Sequence, residues 1–193
     1  MKAYSILSLG LVIHLIVACQ SKPSEKSHFE IPEGKQAKQT TYYFVRHAEK
    51  DTTNPEHKDP KLNTKGEQRA NYLAEYFADK SLDAFYTTDF ERTIKTLEPT
   101  AKSYQENMVL YDVPEDSLFT HEFWKTTYGK KVLVVGHSNT SPRFVNEILR
   151  KTTYQPLNES NYDVFFKVEI DKDLTVKDTL LTMNVPQHKS SKD

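Results

Sequence analysis

Two short apolar runs of strand-forming residues, Tyr42–Val45 and Val132–Val135, constrain this chain more than any other feature. The second is apolar without a break, the pattern of a strand buried on both faces. Each run delivers a histidine just past its end: Arg46 and His47 follow the first, Gly136 and His137 the second. In an open α/β sheet, ligand sites lie beyond the carboxyl ends of the strands. Two strand-end histidines with arginines nearby describe a pocket for a tetrahedral dianion.

The rest of the chain alternates strand and helix signals. Thr41–Val45 predicts the first strand, and the segment 51–61, with Asn54-Pro55 and Asp59-Pro60, an irregular polar loop. Thr64 followed by Glu67 fits a capping box that opens a helix toward Ala78, with Tyr72, Leu73, Tyr76 and Phe77 at helical spacing toward the core. Ala84–Thr87 predicts a strand, and Glu91–Tyr104 a helix that Pro99 should kink or shorten. Met108–Tyr111 reads as a strand and Ser117–Thr127 as a helix ending before Gly129. Pro142 suits the first turn of a helix running to Leu149. Val164–Ile170 and Leu174–Met183 predict a hairpin forming the antiparallel edge of the sheet. The expectation is one α/β domain over residues 40–185, a three-layer α/β/α sandwich with a mostly parallel sheet.

A length of 193 residues is enough to bury a core, and a formal net charge of −1 lacks the basic excess expected of nucleic-acid binding. Cys19 is the single cysteine, which excludes an internal disulfide and any cysteine-based metal site. His57 and His121 are isolated and His28 and His188 fall in the tails, so no metal-ligand spacing is present. The five scattered glycines form no phosphate loop or dinucleotide fingerprint. No metal and no other cofactor is expected.

The first 18 residues have the outline of a secretory signal: a Met-Lys start, an apolar run from Ile6 to Val17, and a small residue, Ala18. That run falls short of the ~20 residues a spanning helix needs, and His14 interrupts it. Ile16-Val17-Ala18-Cys19 resembles a bacterial lipobox, in which the cysteine is lipidated and becomes the new N-terminus. The expectation is a membrane-anchored lipoprotein of the cell envelope, on the periplasmic side or at the outer membrane. Residues 19–39 are polar, with only Phe29 and Ile31 as sizeable apolar residues, and read as a flexible tether. Residues 186–193 are a polar, frayed tail.

Four blocks of sequence carry a family resemblance. They are the strand with Arg46-His47-Ala48-Glu49, the segment Leu62–Gly66 with Glu67, Gln68 and Ala70, the strand and turn leading to Arg92, and Val132–Asn139. In this order they resemble the histidine phosphatase superfamily, in the phosphoglycerate mutase-like branch, closest to its phosphohistidine phosphatase-like subgroup. The resemblance implies a phosphoglycerate mutase-like sandwich and a phosphatase acting on phosphomonoesters or phosphoramidates, on a small molecule or a phosphoprotein. His47 is then the nucleophile that forms a phosphohistidine. Arg46 and Arg92 are phosphate clamps, because a planar guanidinium matches two phosphate oxygens. His137 donates to the phosphoryl oxygens. The general acid is open between Asp112, nearest the family position, and Glu115 as reserve. Thr87-Thr88-Asp89 departs from the family's small-residue-plus-proline turn. The chain is too short for the loops that would re-orient a phosphoglycerate, which disfavours mutase activity. The alternative is an anion-binding lipoprotein without turnover, although a binder needs the arginines and not the nucleophile.

Overall fold

A computed structural model describes residues 25–26 and 28–185. Their element order is β1 (Glu25–Lys26), β2 (Thr40–Arg46), α1 (Thr64–Phe77), β3 (Ala84–Thr87), α2 (Glu91–Tyr104), β4 (Met108–Leu110), α3 (His121–Thr127), β5 (Lys131–Gly136), α4 (Thr140–Leu149), β6 (Val164–Ile170) and β7 (Thr175–Thr182). The expected signal segment, Cys19 and the tail at 186–193 lie outside the described residues. Among those residues no helix is long and apolar enough to cross a membrane.

The strands form one mixed sheet in the order β1-β7-β6-β2-β5-β3-β4. The β2–β5, β5–β3 and β3–β4 pairs are parallel, whereas β6 joins β2 antiparallel and β7 follows as a hairpin. The hairpin is antiparallel, as expected, but its outer strand is not the edge of the sheet, because β1 pairs with β7.

Period-2 alternation along the central strands divides the core into two layers. Tyr42, Phe44, Val132 and Val134 face α3 and α4, where they meet Trp124, Phe144 and Val145. Tyr43, Val45, Leu133 and Val135 face α1 and α2, where they meet Leu73, Phe77 and Leu97. Both faces of the sheet are thus covered, which gives the three-layer sandwich.

Several boundaries differ from expectation. The cap of α1 is Asn63, whose side chain accepts from the Gly66 amide, and Thr64 is already helical. The α2 helix continues past Pro99 to Tyr104. The α3 helix starts at His121 rather than Ser117, because the distant Glu147 carboxylate accepts from the Ser117 hydroxyl and from the Leu118 and Phe119 amides. Thr120 then caps the helix through the Phe123 amide.

The expected tether at residues 19–39 is not free over its C-terminal part. Phe29 is buried against Phe119 and Trp124, and the Trp124 indole donates to the Glu30 carbonyl at 2.8 Å. Polar composition concealed this contact, because one large aromatic ring suffices to pin a polar segment.

Candidate active site

Strand register builds the site. Arg46 of β2 lies opposite Gly136 of β5, so the next residues, His47 and His137, emerge side by side at the carboxyl ends of adjacent parallel strands. The His47 amide donates to the Gly136 carbonyl at 2.8 Å, extending the ladder one step into the site. Gly136 is required there. A Cβ would lie 2.4 Å from the Thr140 hydroxyl and 2.6 Å from that of Tyr111.

His47 is buried, and its Nδ1 lies 2.8 Å from the Ala48 carbonyl oxygen. A carbonyl only accepts, so Nδ1 carries the proton and Nε2 keeps its lone pair. Burial, followed by the charges of Arg46 and Arg92, lowers the His47 pKa to about 3 against the opposing pull of that hydrogen bond. His137 is lowered to about 4, first by burial and then by Arg92 and Arg46, with Glu159 opposing. Both rings are neutral at neutral pH, with centroids 5.6 Å apart. The Thr88 hydroxyl lies 3.0 Å from His137 Nε2, which fixes the ring from the β3 side.

Arg92 stands in the first turn of α2, its guanidinium 4.2 Å over the Phe90 ring. Asp59 holds it. The Asp59 carboxylate accepts from the Glu91 amide and lies 3.2 Å from Arg92 Nη1. Arg92 Nε is buried with no acceptor among the described residues, a donor ready for an anion. His47, Arg92 and His137 line one cleft of about 610 Å³ together with Lys50, Phe90, Ser138 and Glu159.

The expected clamp Arg46 is placed differently. Its side chain is buried beside this cleft and does not line it. Nη1 donates to the carbonyls of Asn158, Glu159 and Asn161, and Nη2 to the Glu159 carboxylate at 2.6 Å. A buried guanidinium needs acceptors, and the 158–161 loop supplies them. The two candidate general acids are not brought to the cleft either. Asp112 and Glu115 are exposed, and from their segment only Val113 lines the cleft. Arg143 pins this stretch away from the site by donating to the Pro114 and Glu115 carbonyls.

Behind the nucleophile, Glu49 accepts two bonds from Arg69 of α1 at 2.8 Å each, and Arg69 also pairs with Asp163. This buried brace ties the end of β2 to α1 and to the loop that wraps Arg46. Three residues at the site were not legible as functional in the sequence. Thr88 was visible only as a departure from the family turn, Asp59 only as part of an Asp-Pro turn, and Glu159 not at all.

Two histidines and a buried arginine Nε meet at the carboxyl ends of adjacent parallel strands, an arrangement suited to a tetrahedral anion. Residues 42–112 match the family described as the histidine phosphatase superfamily (branch 1). No curated protein matches the chain.

Solved structures share the fold at low identity. SixA of Agrobacterium tumefaciens, assigned as a phosphohistidine phosphatase, has a TM-score of 0.54 at 18% identity, covering 76% of this chain and 99% of that one. Phosphoserine phosphatase of Entamoeba histolytica, in complex with 3-phosphoglyceric acid, has a TM-score of 0.56 at 16% identity, covering 77% and 98%. YhfR of Bacillus stearothermophilus has a TM-score of 0.55 at 17% identity, covering 70% and 94%.

Proposed function

We propose that the protein hydrolyses phosphomonoesters or phosphoramidates through a phosphohistidine on His47, without a metal ion. The observation that carries this reading is the bond from His47 Nδ1–H to the Ala48 carbonyl. It presents Nε2 as an unprotonated nucleophile, and burial followed by the neighbouring arginine charges keeps it so. Nε2 forms a bond to phosphorus as the bond from phosphorus to the leaving oxygen or nitrogen breaks, and the leaving atom keeps the electron pair and takes a proton from water. Water then attacks phosphorus, the P–N bond breaks, and inorganic phosphate leaves with neutral His47 restored. Arg92 and Arg46 supply the positive charge that metal ions supply in two-metal phosphatases, and His137 contributes as a neutral hydrogen-bonding ring.

The likeness to proteins named for phosphohistidine and phosphoserine supports a phosphoryl substrate on nitrogen or oxygen. The test is hydrolysis of an aryl phosphate, with rapid quench of labelled substrate. Acid-labile, base-stable label on His47 and a rate unaffected by a chelator are expected. Full turnover by His47→Ala, or loss of rate that zinc or magnesium restores, rejects the mechanism.

We also propose that lipid on Cys19 anchors the domain at the cell envelope. More than one acyl chain gives stable anchoring where a single chain is marginal. Cys19→Ser should move the protein to the soluble fraction, and an unchanged membrane fraction with residues 1–18 retained rejects the lipid anchor.

A further inference from the structure

The cation nearest the nucleophile in sequence is already engaged with an anion of the chain itself. Glu159 Oε2 lies 2.6 Å from Arg46 Nη2, and the Ser138 hydroxyl donates to Oε1 at 2.5 Å. The Glu159 side chain is 74% exposed while that of Arg46 is 1% exposed, so a solvent-facing carboxylate reaches in to a buried guanidinium. It lines the same cleft as His47, Lys50, Arg92 and His137. Its bond from Ser138, then the charges of Arg46 and Lys50, hold its carboxyl below the ordinary range. It is therefore an anion at neutral pH, surrounded by the groups that would receive a phosphoryl group.

We propose that Glu159 is a built-in competitor of substrate: its carboxylate occupies the anion position between Arg46 and Ser138 and must swing out before a phosphoryl group can bind there. This rests on the reading of the cleft as a phosphoryl site. The carboxylate offers two oxygens and one charge. A phosphoryl dianion offers three oxygens and two charges and engages Arg92 and His137 as well, so it displaces the carboxylate. Exposure makes the displacement inexpensive, because the released carboxylate is solvated by water. The Arg46 guanidinium stays placed meanwhile by the Asn158, Glu159 and Asn161 carbonyls and by the Tyr162 ring, 4.1 Å away.

The experiment measures binding of inorganic phosphate by titration calorimetry to the full chain, to Glu159→Gln, and to each of these carrying Arg92→Ala. An ion pair with one exposed partner is weak, so removing the competitor should tighten phosphate binding by roughly two- to tenfold. Binding should collapse with Arg92→Ala in both backgrounds. If Glu159→Gln leaves affinity unchanged or weakens it while Arg92→Ala still abolishes binding, Glu159 braces Arg46 or transfers protons and the competitor is rejected, although the phosphoryl site stands. If neither background binds phosphate, or Arg92→Ala has no effect, the phosphoryl site itself is rejected. In turnover of an aryl phosphate, the competitor predicts a lower KM for Glu159→Gln with kcat not reduced. A reduced kcat with unchanged KM identifies a proton-transfer role and overturns it.

Discussion

A buried neutral imidazole near two arginines resists protonation, and this shapes the pH dependence of the free protein. His47 and His137 have folded-state pKa values of about 3 and about 4. In the unfolded chain both return to about 6.5. Between these values the unfolded chain binds protons that the folded one excludes, so stability is fully present above about pH 6.5 and is lost as pH falls toward 4. Urea midpoints should decline over that window, and His137→Asn should flatten the decline. A midpoint that holds steady from pH 6.5 to pH 4 would contradict the burial of both rings. The carboxylates carry a second expectation. Asp112 and Glu115 lie off the cleft, and Glu159 is held ionised, so none of the three is set to protonate a leaving group. A positioned general acid typically contributes 10²–10⁴-fold. Its absence should appear as a steep fall in kcat/KM from aryl to alkyl phosphates, with Asp112→Asn and Glu115→Gln leaving the slope unchanged. A flat wild-type dependence that steepens in one variant would identify that residue as the acid.

At the scale of elements, the site is a consequence of register and of one tight helix approach. The N-terminus of α1 packs so closely on the end of β2 that a Cβ on Gly66 would sit 2.1 Å from the Glu49 carbonyl oxygen. Elsewhere in a helix, Gly→Ala is worth roughly 0.5–1 kcal/mol of added stability. Here the backbone cannot yield without moving Glu49, two residues from His47, so Gly66→Ala should destabilise by about 1–3 kcal/mol, the range of overpacked sites. Chemical denaturation decides the sign, and any gain in stability would refute the close approach. Elements governed by local pattern were legible: β3, α2 and β6 fall within the ranges their apolar spacing predicts. Those governed by a distant partner were not. The start of α3 is set by Glu147, which takes the Leu118 and Phe119 amides from across the fold. No feature near Ser117 records that competition.

For the whole molecule, the same division between local and distant causes separates what the sequence disclosed of the site from what it did not. His47, Arg92 and His137, which line one cleft, could be read because a strand end or a helix start carries each of them, whereas Arg46 turns to the 158–161 loop. Glu159 could not, because its partners Arg46 and Ser138 stand 113 and 21 residues away in the chain, and only the closed fold joins them. The segment before β2 follows the same rule. Its polarity reads as a tether, yet the Phe29 ring lies 4.8 Å from Phe119 and 5.6 Å from Trp124. Tyr128 donates to the Gln36 carbonyl and accepts from the Lys38 amide, which fastens the segment again farther along. A tether would tolerate substitution within about 0.5 kcal/mol, as exposed positions do. A ring that completes the aromatic cluster over α3 should not. Phe29→Ala is expected to cost about 3 kcal/mol, the lower end for loss of a buried phenylalanine, since the residue stays 9% exposed. Urea unfolding followed through Trp124, the single tryptophan of the chain, measures it directly. A cost near zero would return residues 28–39 to the tether and leave the domain beginning at β2.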